Sequence, residues 1–393
     1  MRRPRPAPAP DHDTAGRVTP IEIFFDVVFV LTITQLTHAL EADFSWAGLG
    51  RTVLIFGLLW YLYTGYVWLT NHVPPRQSTA KLLLLAGMAS FLLTAIALPD
   101  ALAETGLIFA IGYLAVVVVH LIMFMHSDAR AGVRRLAPYN LSAALLILAA
   151  AALNGPAVPA LWTAAVLTQA VLPYLLPRHS WIGVAATFHL APAHFVERHG
   201  LIVIVALGES VALIGVGVPA DAVTAERASA ILLALALSAA LWWTYFADTR
   251  PAEAALTDAA PADRARMAAR AYVLPHFLLL LGVIPTAANL QATAAHPDHP
   301  ADPGAALALS GGVALFLTGV SAARRALGLP IPLTRPTAAL VVLATIPVGV
   351  TLPATAQLVT VTAVLVLMLV TDTRRPWPVV GRRGEAPVGP GEA

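Results

Sequence analysis

The chain has 393 residues, 58% of them hydrophobic and only 12% charged, with a mean hydropathy of +0.75. Soluble domains carry about a quarter charged residues, so a soluble globular protein is excluded and a polytopic membrane protein is expected. With no cysteine, disulfides, iron–sulfur clusters, thiolate metal sites and cysteine nucleophiles are excluded, and the formal charge of +2 takes its meaning from where the arginines lie.

Apolar runs of membrane-spanning length occur, in chain order, at 21–40, 49–69, 81–98, 102–125, 139–153, 158–176, 200–218, 228–247, 272–290, 305–323, 337–352 and 354–370. The fifth, eleventh and twelfth are short. One helix over 337–370 would be about 50 Å long against a hydrocarbon core of about 30 Å, and Pro347 and Pro353 offer breaks, so a tight hairpin is expected there. The fold class is therefore all-α, a bundle of about twelve transmembrane helices.

Charge placement supports that count. With the N-terminus inside, 22 of the 24 basic residues fall in cytoplasmic segments and only Arg51 and Arg227 lie outside, whereas eleven spans would put the last four arginines outside. The expected location is the plasma membrane, with both termini cytoplasmic. The basic, proline-rich stretches 1–18 and 374–393 read as disordered tails. A cleaved signal peptide is not expected, because Arg2 and Arg3 are not promptly followed by an apolar region and the first long run carries Glu22 and Asp26.

Twelve spans divide into halves at 19–178 and 179–373, with an interfacial connection over 179–199. Leu59-Trp60-Tyr61-Leu62-Tyr63 in the second span is echoed by Leu241-Trp242-Trp243-Thr244-Tyr245 in the eighth. The first and seventh spans each follow or open with a glutamate, Glu22 and Glu197, and carry a further acid within the helix. An even number of spans per half predicts two parallel six-helix repeats.

The segment TPIEIFFDVVFVLTITQLTHAL, 19–40, resembles the first-helix signature of the bacterial low-temperature-requirement A (LtrA) family, Glu-x-Phe-Phe-Asp-x-Val-Phe. A second block, HFVERHGLIVIVALGESVALIG at 194–215, resembles the same family, and the likeness extends over about residues 17 to 372. Glu22, Phe24, Phe25, Asp26, Phe29, Glu197, Arg198, Gly200, Gly208, Glu209 and Ser210 stand in the matching places. The resemblance implies an integral membrane protein of a family named for a growth phenotype, and carries no particular substrate. The run from Phe25 to Thr34 is also similar, more distantly, to the Phe-Ser-Asp-Gly-Val-Phe-Ala-Ile signature of endolysosomal and bacterial potassium channels. Here Phe25 replaces the serine, Val27 replaces the glycine, and the second half has no copy.

Glu22 and Asp26 are four residues apart and share a helix face that continues through Phe29, Val30, Ile33 and Thr37. A carboxylate as deep as Asp26 costs about 2.5–3.5 kcal/mol on insertion scales unless it is paired, protonated or wet. It is thus a candidate ion or proton site, or a structural anchor to Arg198 or Arg270. Glu209, about 14 Å into its helix between Gly208 and Ser210, is the second candidate, either functional or a protonated structural acid. His276 after Pro275 is a weaker proton-relay candidate, and Glu197 completes the acidic set. The tryptophans and tyrosines read as belt or packing residues.

His189, His194, Glu197 and His199 lack a metal-site pattern, and a juxtamembrane helix with its His and Arg at the headgroups is the simpler reading. No phosphate-binding loop, dinucleotide fingerprint or serine-nucleophile elbow is present, so no enzyme, cofactor or metal is expected. The expected partners are the lipid bilayer and a proton or monovalent cation, with no nucleic acid. The expected activity is a proton- or cation-handling transporter or channel that uses intramembrane carboxylates. The alternatives are a non-transporting scaffold or envelope factor with structural buried acids and, last, an intramembrane enzyme.

Overall fold

The computed structural model describes residues 17–125, 127, 130–175, 184–185, 187–217 and 224–373. The tail segments 1–16 and 374–393, and most of the stretch 176–186, lie outside them. The regular structure of the described residues is helical, apart from a single bridge between Pro300 and Pro353, as expected where lipid offers no partner for backbone groups. In order, the helices are α1 (Pro20–Ala42), α2 (Trp46–His72), α3 (Ser78–Ile96), α4 (Gly106–Met125), α5 (Arg130–Leu153), α6 (Val158–Val166), α7 (Pro192–Gly217) and α8 (Ala225–Phe246). They continue as α9 (Thr249–Asp258), α10 (Pro261–Tyr272), α11 (Leu274–Ala295), α12 (Pro303–Ala326), α13 (Thr334–Leu343), α14 (Ile346–Thr351) and α15 (Ala354–Thr373). Among the described residues, eleven helical segments are long and apolar enough to cross a membrane. The apolar segment that begins with α6 is shorter and passes through a π-helical turn, Leu167–Val171.

The apolar runs locate the helices, and local chemistry moves their ends. Thr19 and Pro20 start α1, with proline in the first turn, where an N–H would have no partner within the helix. Ser45 and Thr224 cap α2 and α8 by accepting from the amides of Gly48 and Arg227. The fifth helix starts at Arg130 rather than 139, runs through Pro138, and is not short. The seventh starts at Pro192 rather than 200, so residues 192–199 of the connection expected to lie along the membrane surface belong to a helix of spanning length, while 179–183 and 186 lie outside the described residues. Between α8 and α11, where a loop was expected, α9 and α10 form a short hairpin. The Arg264 guanidinium donates to the carbonyls of Leu256, at 2.8 Å, and Thr257, at 2.9 Å, closing the C-terminal end of α9. The hairpin expected near the C-terminus is present: α13 ends at Leu343, ahead of Pro347, and the chain reverses at Leu352 and Pro353.

Two helices are buried on almost every side, α2 and α11, as helices apolar all round should be. They meet where the Trp60 indole donates to the Val273 carbonyl at 2.9 Å and Phe56 stacks on Phe277. Against α11, α12 approaches unusually closely. A Cβ on Gly312 would lie 2.6 Å from the Gly282 carbonyl oxygen, and one on Gly319 would lie 2.6 Å from that of Pro275. In the first part of the chain α1 packs on α2 and α3, α3 on α4, α4 on α5, α5 on α6, and α2 on α4 and α6. In the second part α7 packs on α8 and α11, α11 on α12, α12 on α13, α13 on α15, and α8 on α12 and α15. The two sets are joined by α1, which lies against both α7 and α11.

Candidate functional site: a buried charge cluster between α1 and α7

The site starts at the first turn of α1. Thr19 and Glu22 stand at the spacing of a capping box, and the Glu22 carboxylate accepts from the Thr19 amide at 2.9 Å and the Thr19 hydroxyl at 2.7 Å. One turn on, Asp26 points to the same side. Across from them α7 presents His194 and Arg198, also four apart, so two i,i+4 pairs of complementary chemistry face each other on adjacent helices. Glu22, Asp26 and Arg198 have no solvent-accessible side-chain surface at all.

Arg198 spends its donors on both acids. Its Nη1 donates to Glu22 at 2.9 Å and to the Thr70 hydroxyl at 2.6 Å, its Nη2 to Asp26 Oδ1 at 2.9 Å, and its Nε to Asp26 at 3.1 Å. The guanidinium also lies over the Phe25 ring, 5.7 Å from its centre. Tyr63, from the central helix α2, donates to Asp26 Oδ1 at 2.9 Å. Of the two arginines considered for Asp26, Arg198 is therefore the partner, and Arg270 is exposed on α10.

His194 takes a definite tautomer. The Asn71 amide is oriented by the backbone of Ala191, accepting from its N–H at 3.0 Å and donating to its carbonyl at 3.1 Å. The other Asn71 Nδ2 hydrogen then points at His194 Nδ1, 3.0 Å away, so Nδ1 accepts. Nε2 carries the hydrogen and donates to Glu22, 3.1 Å from Oε1 and 3.2 Å from Oε2. In this arrangement His194 brings no positive charge, and two carboxyl groups share one guanidinium. Glu22 is surrounded by donors on both oxygens. Among the described residues, Asp26 Oδ2 has only the Arg198 Nε, at 3.2 Å, which is shared with Oδ1.

The remaining candidates lie apart from this cluster. Glu197 is exposed and accepts from the Val18 amide at 3.3 Å. Glu209 is half-buried and accepts from the Thr34 hydroxyl of α1 at 2.9 Å. Ser210 donates back to the Ala206 carbonyl of its own helix, and the Thr37 hydroxyl is buried without a partner among the described residues. His276 is buried. Its Nδ1 faces the Ala271 carbonyl, so its Nε2 accepts from the Tyr245 hydroxyl at 3.0 Å. His194, Arg198 and His199 are buried too, in place of the headgroup contacts expected for them. Among the described residues no group of His, Asp or Glu is placed to hold a metal.

A second charge cluster escaped sequence reasoning, because its members were assigned to loops. Asp248, just past α8, pairs with Arg324 at the end of α12 and with Arg335 at the start of α13, the latter at 2.5 Å. Arg335 also pairs with Asp372 at the end of α15, at 3.3 Å, and the Thr334 hydroxyl donates to Asp372. The Arg324 and Arg335 side chains are each only 3% exposed. Beside them a cavity of about 30 Å³, enough for a water or two, is lined by Tyr245, Asp248, Tyr272, His276 and Arg324. Missed in the first cluster were Thr19, Tyr63, Thr70 and Asn71. The Thr-x-x-Glu spacing of 19 and 22 was the available signal for the first of these, while the α2 residues had none.

Eleven helical segments of spanning length among the described residues and a fully buried ionic core define an integral, multi-pass membrane protein, which implies a lipid bilayer around it. The family described as Bacterial low temperature requirement A protein (LtrA) matches residues 17–370. The chain belongs to the LtrA family. It is also similar to a protein of Rhizobium meliloti (strain 1021) described as uncharacterized, with 28% identity over 308 residues, covering 76% of this chain and 75% of that one.

Proposed function

We propose that this LtrA-family protein is a proton-handling transporter of the plasma membrane, in which Asp26 takes up and releases the proton. The carrying observation is the charge count: two carboxyl groups and one guanidinium without access to solvent, beside a buried histidine whose Nδ1 accepts from Asn71 and which therefore adds no charge. A surplus negative charge in such a place is costly, and a proton on one acid removes it. Glu22 has donors on both oxygens and suits the ionised state, whereas Asp26 Oδ2 is the acceptor with room for a proton. A metal cation would need several free oxygen ligands, and the oxygens of this cluster already accept from Arg198, His194, Thr19 and Tyr63.

The cluster joins α1 to α7, which in this reading are the first helices of two parallel six-helix halves. The recurrence of the same helix neighbours, 1–2, 1–3, 3–4, 4–5, 5–6, 2–4 and 2–6, in both parts of the chain supports that duplication. Protonating Asp26 weakens its hold on Arg198 and so loosens one half against the other, which is what coupling a proton to a change of access requires. The positive-inside distribution of basic residues supports a cytoplasmic side for both termini. No acid–base, nucleophile or cofactor motif supports an enzyme.

A second reading, a non-transporting membrane factor in which the cluster only fixes α1 on α7, is favoured by the full engagement of Arg198. Reconstitution into liposomes loaded with a pH-sensitive dye, under an imposed pH gradient, separates the two. Transport predicts a proton flux that Asp26→Asn lowers by at least about tenfold while the protein stays folded. An unchanged flux in that variant removes Asp26 from the pathway, and a folded wild type with no flux favours the structural reading.

A further inference from the structure

The last turn of α2 fastens the chain where α7 begins, and does so through groups that also touch the charge cluster. His72 Nδ1 accepts from the His189 amide at 3.0 Å, and the Asn71 side chain bonds both the N–H and the carbonyl of Ala191. Those two backbone groups fix the Asn71 amide, because turning it over would set N–H against N–H and oxygen against oxygen. Its remaining hydrogen is thereby aimed at His194 Nδ1, 3.0 Å away, and a ring nitrogen that accepts carries no proton. Asn71 thus joins α2 to the start of α7 and, by the same contact, sets the charge state of His194.

That charge state bears on the whole cluster. Of its acids and bases, His194 alone keeps exposed surface, 8% of its side chain, whereas Glu22, Asp26 and Arg198 keep none. Around the ring stand Glu22 of α1, 3.1 Å from Nε2, and, on its own helix, Arg198 and His199, while α2 offers it the uncharged Asn71. A proton added at Nδ1 would leave the Nε2 hydrogen on Glu22 and set two cations against two acids. The surplus that a proton on Asp26 removes is removed equally by a proton on His194. One proton therefore has two alternative seats, and with Asn71 fastened to Ala191 only the seat on Asp26 is open.

We propose that Asn71 is a positioning residue that decides which of the two groups holds this proton. While α2 and the start of α7 stay fastened, the His194 ring is uncharged and Asp26 is the protonated carboxyl. When they part, Ala191 no longer orients the amide, water reaches the cluster past His194, and Nδ1 is free to take up a proton. The O–H bond of the Asp26 carboxyl then breaks and an N–H bond forms at His194 Nδ1, with water carrying the proton between them, so the net charge of the cluster is the same before and after. Because the fastening spans the two parts of the chain, their separation and the release of the proton from Asp26 are coupled. This role of Asn71 rests on the proton-handling reading of Asp26, and adds to it the residue that times the release.

Solid-state nitrogen NMR of the histidine rings tests this in the full chain in liposomes, with the His194 signals identified by their loss in His194→Gln. At neutral pH the wild type is expected to show His194 as the uncharged Nε2–H form, together with an infrared band of a protonated carboxyl that Asp26→Asn removes. Asn71→Ser keeps a polar group that no pair of backbone bonds orients, and Asn71→Leu removes the polar group altogether. In both, the doubly protonated His194 signal should grow about tenfold, the effect of losing one hydrogen bond, and the Asp26 band should fall by the matching amount. Ala191→Pro keeps Asn71 and deletes only one of the bonds that orient it, and should move the same two signals the same way by less, which keeps the outcome readable if the Asn71 variants do not fold. Folded variants in which His194 and the band stay as in the wild type overturn the proposal and leave Asn71 merely structural. So does a wild-type His194 that is already doubly protonated, or growth of its signal with no loss from the band. Proton flux that Asp26→Asn abolishes, beside Asn71 variants with an unmoved His194, fails this inference alone. A wild type with neither flux nor the Asp26 band fails the proton-handling reading, and this inference with it.

Discussion

The two buried charge clusters are made of the same groups and differ in their arithmetic. Asp248, Arg324, Arg335 and Asp372 are two acids and two arginines at helix ends, with the acids still 10 to 13% exposed. Glu22, Asp26 and Arg198 are two acids and one arginine, with none of the three exposed. Burial of a charge is repaid only when a partner of opposite sign is close and every donor and acceptor is met. The first set satisfies that condition at the rim of the bundle, and it ties together the ends of α8, α12, α13 and α15. The second violates it at a deeper point, between the two parts of the chain. In the proposed reading, an excess of charge, rather than burial as such, separates a site that changes its protonation from a clamp.

That contrast can be broken most directly at the shared arginine. Arg198→Met leaves two carboxyl groups buried without a cation and is expected to cost about 3–5 kcal/mol, read as loss of the thermal unfolding transition in detergent. Asp248→Asn in the balanced cluster leaves Arg324 and Arg335 with Asp372 alone. It is expected to cost about 2–3 kcal/mol, less than the first because this cluster is not closed to water. Tyr63→Phe deletes one hydrogen bond to Asp26 and is expected to cost about 1.5 kcal/mol, measured by the same melts. Asp26→Asn should change stability least, by about 1 kcal/mol or less, because it turns the surplus cluster into a balanced pair of Glu22 and Arg198. The same variant should also remove a protonated-carboxyl band from the infrared spectrum. A band that persists in Asp26→Asn, or a larger loss of stability there than in Asp248→Asn, would erase the proposed difference between the clusters.

Much of the architecture was legible in the residues because lipid imposes one rule on every backbone group. The apolar runs marked helices to within a few residues wherever caps and prolines agreed with them, as at Thr19-Pro20 and Ser45. They failed where polar residues continue a helix. Arg130, Arg134 and Arg135 read as loop yet lie on α5, and 192–199 read as an interfacial segment yet forms the first turns of α7. The basic residues were sorted to one end of the bundle by sign alone. That sorting had no means of telling exposed Arg270 from buried Arg324 and Arg335, since only the packing around each helix end decides which arginine finds an aspartate.

From the sequence alone came the membrane environment, the approximate number of spans, the family resemblance, and the identity of Glu22, Asp26 and Glu209 as acids that need a reason. Local composition suffices for those, because each follows from a window about as long as one helix. Tertiary structure decided which acids share a cation, which tautomer His194 adopts, and that Glu209 faces outward beside Thr34 instead of joining Asp26. Those outcomes depend on residues some 120 to 175 positions apart being brought within about 3 Å. No periodicity within a single helix encodes that proximity.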